Sequence, residues 1–178
     1  MEFISSIDNA FINFILNIQN DFLTGFFKVF TFLGDKGILW IAIGLILLIP
    51  KKTQKIGIVY IASLAFSTLF SELVFKHIVC RERPFISDSS IKLLIPAVSG
   101  YSFPSSHSAS SFCCATALYL QNKKWGRCAY VISSFIAISR MYFTVHYFTD
   151  VVVGCLWGVI SAIIIYAVFK KIENRTKA

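Results

Sequence analysis

Residues 139–150 read Ser-Arg-Met-Tyr-Phe-Thr-Val-His-Tyr-Phe-Thr-Asp and set Arg140, His146 and Asp150 at the boundary of two apolar runs. Ionisable side chains are expensive in such a place and usually functional. His146 and Asp150 are four residues apart, which on a continuous helix stacks them on one face. A carboxylate so placed can hold one imidazole nitrogen and leave the other free to attack an electrophile or take a proton. Arg140 lies six residues before His146, so only a bend or a neighbouring helix lets both reach one ligand. Taken alone, the stretch also reads as a helix end with a snorkelling arginine and a satisfied histidine. Residues upstream bear on that choice.

Lys76 closes one apolar run, and Arg83-Pro84 follow seven residues later, the proline stopping the helix and fixing the chain's direction. A snorkelling lysine and a solvated arginine are the plain alternative for that pair. Glu72, four residues before Lys76, has the spacing of an ion pair and reads as a structural counter-ion. Next comes Ser102-Phe103-Pro104-Ser105-Ser106-His107-Ser108, leading into another apolar run. This is a helix start, with serines for capping and proline near the first turn. The free amides of such a start bind anions, and His107 in that turn can hand a proton to a departing phosphate ester or phosphate. An ordinary N-cap with an incidental histidine has the same sequence. Of the three histidines, His77 alone has no assigned role and reads as interfacial.

Together, Lys76, Arg83 and Arg140 supply three cations beside the helix start at Ser105 and Ser106. That set neutralises a phosphate and braces its oxygens as charge redistributes in the transition state. Two histidines allow one to be nucleophile and the other acid. No acidic cluster suited to magnesium or zinc accompanies them, so the sequence predicts no metal and no cofactor.

The elements that must position these residues are membrane helices. The chain has 178 residues, 56% hydrophobic, with a mean hydropathy of +0.71; soluble domains sit nearer about 45–50% apolar. The reading is a single membrane-embedded domain over 1–178, an all-α polytopic transmembrane helical bundle. Five apolar runs, roughly 37–50, 56–76, 104–121, 127–146 and 149–169, approach the ~20 residues that cross hydrocarbon as a helix. Ahead of them, Ile4, Ile7, Phe11, Phe14, Ile15 and Ile18 recur at helical spacing, which predicts an amphipathic helix at the membrane surface. Residues 22–33 are apolar but short and end at the turn Gly34-Asp35-Lys36-Gly37, so 1–33 form either an interfacial pair or an imperfect sixth span.

The net charge of +8 raises nucleic acid as a partner, but the basic residues are split among short loops between apolar runs, which excludes it in favour of membrane orientation. Lys51, Lys52, Lys55, Lys123, Lys124, Arg127, Lys170, Lys171, Arg175 and Lys177 fall on one side. The other side carries Lys36, Lys76, Arg81, Arg83, Lys92 and Arg140. The positive-inside bias puts the first group and the C-terminus in the cytoplasm, and the 77–103 loop and His146 outside. Five cysteines form neither a metal spacing nor an even disulfide set. The N-terminus has no pattern of a cleaved signal peptide, so insertion is expected to use the internal spans.

The order and spacing of these residues resemble the type-2 phosphatidic acid phosphatase superfamily, which shares its phosphate site with vanadium-dependent haloperoxidases. Lys76, six residues and Arg83-Pro84 match its first motif; Pro104-Ser105, Ser106 and His107 its second; Ser139-Arg140, His146 and Asp150 its third. The match is close over 76–150, and one departure is visible: Ser106 stands where glycine is common. The resemblance implies that His146 attacks phosphorus to form a phosphohistidine, with Asp150 holding its other nitrogen. It implies that His107 protonates the leaving group, and that Lys76, Arg83, Ser105, Arg140 and the Ser106 amide bind the phosphoryl oxygens. Water would then hydrolyse the intermediate with His107 as base. The implied substrate is a lipid phosphate or diphosphate at the outer face, and the compact bacterial members that act on undecaprenyl diphosphate are the nearest likeness. Phosphatidylglycerophosphate and phosphatidic acid are competitors. Phosphotransfer to another lipid, or a non-hydrolytic lipid-binding role, are the other readings. The apolar segment 91–97 is expected to touch the interface beside the site.

Overall fold

The computed structural model describes residues 2–177, and every regular element among them is helical. α1 (Glu2–Ile18) is the amphipathic helix its pattern predicts, exposing Phe3, Ile4 and Phe14. Asn20 then caps α2 (Asp21–Gly34), its side chain accepting from the Leu23 amide at 2.9 Å. Gly34-Asp35-Lys36-Gly37 form the expected turn: a single 3₁₀ turn with Lys36 and Gly37 at φ 51° and 67° breaks the helix and starts α3 (Ile38–Leu48) in a new direction.

α4 (Gln54–Phe70) runs into one wide π-helical turn, Ser71–Phe75, and then a short helical segment, α5 (Lys76–Val79). The Lys76 amide accordingly bonds back to the Ser71 carbonyl, five residues away. Such widened turns occur often at functional sites because the extra residue rotates the following side chains. Cys80 at φ 49° ends the segment, and Pro84 opens the single turn α6 (Pro84–Ser87). α7 (Ser106–Gln121), α8 (Lys123–Tyr142) and α9 (Phe148–Lys177) complete the chain.

Three stretches are long and apolar enough to cross a membrane: Asp21–Leu48, Gln54–Ser87 and Phe148–Thr176. The first two contain the breaks just described, so each is a bent path and not one straight rod. α7 and α8 coincide with two further predicted runs but carry less apolar surface, and packing explains why. α7 is the central helix, against α4, α8 and α9, with Ser108, Ala109, Ser111, Cys113, Cys114 and Ala115 all buried. Small residues there let neighbouring backbones approach, where large apolar ones would hold them apart. Gly154 and Gly158 do the same from α9: a Cβ on Gly158 would stand 2.3 Å from the Ala109 carbonyl oxygen. The core around them includes Trp40, whose indole N–H donates to Ser111 Oγ at 2.9 Å.

Helix packing brings the C-terminal ends of α2, α5 and α8 to the N-terminal ends of α7 and α9, at one end of the bundle. α1 lies across that end, against α8 and α9, with Phe11 stacked on Phe148 at 4.0 Å between ring centroids.

Candidate active site

His146 is not on a helix. α8 stops at Tyr142, short of the predicted run to 146, Thr144 adopts φ 52°, and α9 begins at Phe148, so a loop and a helix start join His146 to Asp150 where a continuous helix would have stacked them. The reason is local: a positive φ at a β-branched residue is incompatible with helix, and the reversal turns α9 back against α7. His146 is 3% exposed and Asp150 is fully buried.

The His146 ring is fixed on both nitrogens. Nδ1 lies 2.8 Å from the Ser102 carbonyl oxygen, and Nε2 lies 3.2 Å from Arg83 Nη1. A carbonyl only accepts and a guanidinium only donates, so the neutral ring carries its proton on Nδ1 and a lone pair on Nε2. The Asp150 carboxylate is farther from Nδ1, 3.7 Å through Oδ2. Direct hydrogen bonding of Nδ1 therefore goes to the Ser102 backbone, while Asp150 supplies charge beside it. Burial pushes the His146 imidazole down to about 4, against the upward pull of Asp150.

Arg83, also buried, uses all five donors. Nε reaches the Gly100 carbonyl at 2.9 Å, Nη2 those of Ser99 and Tyr101 at 3.1 and 3.2 Å, and Nη1 that of Val145 at 2.8 Å besides His146. It thereby ties the 99–101 loop to the loop of His146. No carboxylate among the described residues forms an ion pair with it, so it presents a positive charge to the Nε2 lone pair.

Arg140 is 2% exposed; its Nη1 donates to Thr31 Oγ1, and its Nε has no hydrogen-bond partner among the described residues. A buried guanidinium nitrogen left unpaired is costly, and a ligand oxygen would satisfy it. Arg140 borders a cavity of about 540 Å³ with Lys28, Thr31, Asp35, His107 and the 94–99 segment. The predicted apolar segment 91–97 thus contributes its second half, Leu94 to Ala97, to the cavity wall. His107 reaches the cavity from the first turn of α7, and its Nε2 stands 3.3 Å from Asp35 Oδ1. Its ring packs on Gly34, where a Cβ would come within 2.9 Å of Cδ2.

The helix start at α7 is capped as predicted. Ser105 Oγ accepts from the Ser108 amide and hydroxyl at 3.4 and 2.9 Å. The Ser106 hydroxyl donates to Glu72 Oε1, which leaves its backbone amide as the group this residue offers to a ligand. Glu72 also pairs with Lys76 at 2.8 Å, the counter-ion role read from their spacing. The π-turn places both of them against the start of α7.

Lys76, Arg83, Ser105, Ser106, His107, Arg140, His146 and Asp150 therefore converge on one end of the bundle. Sequence reasoning missed Thr31, Asp35, the Ser102 carbonyl, Arg81 and Asp8. Backbone carbonyls carry no sequence signal. Asp8 did carry one: it falls on the apolar stripe of α1, between Ile4 and Ile15, where a carboxylate is out of place.

A membrane-embedded helical bundle with buried cations, a buried neutral imidazole and a partly apolar cavity at one end is a lipid phosphatase by class. The chain belongs to the PAP2 superfamily, whose family model matches residues 56–173. It is 33% identical to an undecaprenyl-diphosphatase of Sulfolobus acidocaldarius, over 78% of this chain and 70% of that one. A lipid A 4'-phosphatase of Bacteroides thetaiotaomicron is 28% identical over 100% of this chain and 84% of its own. Among solved structures, the PAP2-type phosphatidylglycerolphosphate phosphatase of Bacillus subtilis superposes with a TM-score of 0.80 at 25% identity, covering 97% of this chain and 89% of that chain.

Proposed function

We propose that the chain removes the terminal phosphate of undecaprenyl diphosphate at the extracytoplasmic membrane face, without a metal, through a phosphohistidine on His146. The observation that carries the chemistry is a lone pair on His146 Nε2 facing the buried Arg83 guanidinium, together with a second buried guanidinium, Arg140, whose Nε has no partner among the described residues. The substrate rests on the likeness to the undecaprenyl-diphosphatase. Sidedness rests on the positive-inside distribution of lysine and arginine, with the bent stretch Asp21–Leu48, α4, α7, α8 and α9 crossing and α1 on the surface.

In this mechanism the terminal phosphoryl group is held by Arg83, Arg140, Lys76, Ser105 and the amides at the start of α7. Nε2 of His146 attacks phosphorus as the bond to the bridging oxygen breaks. His107 gives that oxygen its proton, releasing undecaprenyl phosphate. The imidazolium formed on His146 is stabilised by Asp150 and the Ser102 carbonyl. His107, now neutral, takes a proton from water, whose oxygen attacks phosphorus and breaks the P–N bond. Inorganic phosphate leaves and both histidines return to their starting states.

The superposition with the phosphatidylglycerolphosphate phosphatase over 97% of the chain favours phosphatidylglycerophosphate as the second reading. Phosphate release from undecaprenyl diphosphate, phosphatidylglycerophosphate and phosphatidic acid, in detergent with excess chelator, decides among them. The highest kcat/KM is expected for undecaprenyl diphosphate, and a loss of all release with chelator overturns the metal-free step.

A further inference from the structure

The ion-pair chain that ends at Asp150 begins on α1, outside all three motifs. Asp8 is fully buried, although Phe3, Ile4 and Phe14 on the same helix are exposed. Its Oδ2 accepts from Arg81 Nη2 at 2.6 Å and from the Thr149 hydroxyl at 2.7 Å, and its Oδ1 from the Thr149 amide at 2.9 Å. The other arm of the Arg81 fork, Nη1, donates to Asp150 Oδ1 at 2.7 Å and to Thr149 Oγ1 at 2.9 Å. The guanidinium lies 3.8 Å above the Tyr147 ring centroid. With Oδ1 taken by Arg81 and Oδ2 accepting from the Tyr147 amide at 2.9 Å, Asp150 has one orientation, and in it Oδ2 is the oxygen nearest His146 Nδ1.

We propose that Arg81 and Asp8 are positioning residues for the reacting histidine, a reading that rests on the assignment of His146 as nucleophile. As the N–P bond forms, the His146 ring gains positive charge, and Asp150 stabilises it only if its carboxylate stays turned toward Nδ1. Arg81 enforces that orientation, because a planar fork bridges two carboxylates in a way a lysine ammonium does not. Asp8 in turn holds Arg81 in place. Since Asp8 comes from α1, the site is complete only with that surface helix docked, which couples membrane seating of α1 to catalysis. A purely architectural ion pair would be replaceable by any substitution that preserved stability; a positioning pair is not.

The test uses the full chain in detergent, with Arg81→Lys, Asp8→Asn and the double variant, on undecaprenyl diphosphate and phosphatidic acid. Arg81→Lys is expected to lower kcat about 10- to 100-fold, with KM changed less than about twofold. The double variant should lose no more than Arg81→Lys alone, because both act through one carboxylate. In ¹⁵N-histidine spectra the His146 Nδ1 signal should shift as the Asp150 carboxylate turns away, while the Ser102 carbonyl keeps the proton on Nδ1. A folded Arg81→Lys protein with wild-type kcat and an unchanged His146 spectrum overturns the proposal, as do additive losses that track melting temperature alone. Should Arg81→Lys not fold, Asp8→Asn, which keeps the side-chain shape, decides by the same two readouts. If the wild type hydrolyses neither lipid, the substrate reading falls, and the ¹⁵N spectra of the variants still decide the positioning role.

Discussion

His146 Nδ1 and the Ser102 carbonyl oxygen stand 2.8 Å apart, and that contact sets which nitrogen of the ring can react. Because the carbonyl cannot donate, Nε2 keeps its lone pair toward Arg83. His146→Gln should therefore remove phosphate release by about 10⁴-fold or more while leaving the fold intact. Acid-labile, base-stable phosphate trapped on the wild-type protein by rapid alkaline quench, and absent from the variant, is the accompanying check.

Arg140 is the cation with a spare buried donor. Arg140→Lys removes the fork, the bond to Thr31 and the unpartnered Nε together. The expected loss in kcat/KM is about 10²–10³, the range of about 2.7–4 kcal/mol seen when one transition-state donor is deleted. Lys55→Ala serves as the contrast. Its ion pair with Glu173 is on an exposed lysine, and such pairs contribute little, so activity should stay at the wild-type level.

Burial holds the His146 imidazole neutral down to about 4. Its titration in the unfolded chain centres near about 6.5. Between those values the unfolded chain binds a proton that the folded protein does not, so this residue favours folding above about 6.5 and that contribution is lost as pH falls toward about 4. In ¹³C- or ¹⁵N-histidine spectra, with His146→Gln for assignment, the His146 signal should stay neutral at pH 5. A midpoint near 6.5 would contradict the burial argument. Melting temperature in detergent should drop between pH 6.5 and 5, and drop less in His146→Gln.

Two glycines make sharp tests of packing. A Cβ at Gly158 meets the Ala109 carbonyl oxygen at 2.3 Å and the Cys113 amide nitrogen at 2.8 Å, both backbone atoms that cannot swing away. Gly158→Ala should destabilise the α7–α9 contact by about 1–3 kcal/mol, the usual cost of overpacking, read as a lower melting temperature in detergent.

At Gly34 a Cβ instead meets side chains, Ile136 at 2.8 Å and His107 at 2.9 Å. Gly34→Ala should thus displace His107 and lower kcat more than it lowers stability. A kcat equal to wild type would show that His107 tolerates the shift.

The sequence by itself determined the helical class, the amphipathic α1, the turn at 34–37, the Glu72–Lys76 pair and the eight motif residues that meet at one end. These are local properties. Hydrophobic period, a Gly-flanked turn, a proline after arginine and an i,i+4 charge pair act over a few residues and are written in the chain. Tertiary structure decided what those residues touch. It set His146 in a loop, gave its Nδ1 to a carbonyl 44 residues upstream, tied the Ser106 hydroxyl to Glu72, and carried Asp8 across the bundle to Arg81 and Thr149. Such partners lie far apart along the chain and include backbone atoms common to every residue, so no spacing rule names them. They form because a buried polar group must find a partner wherever packing places one.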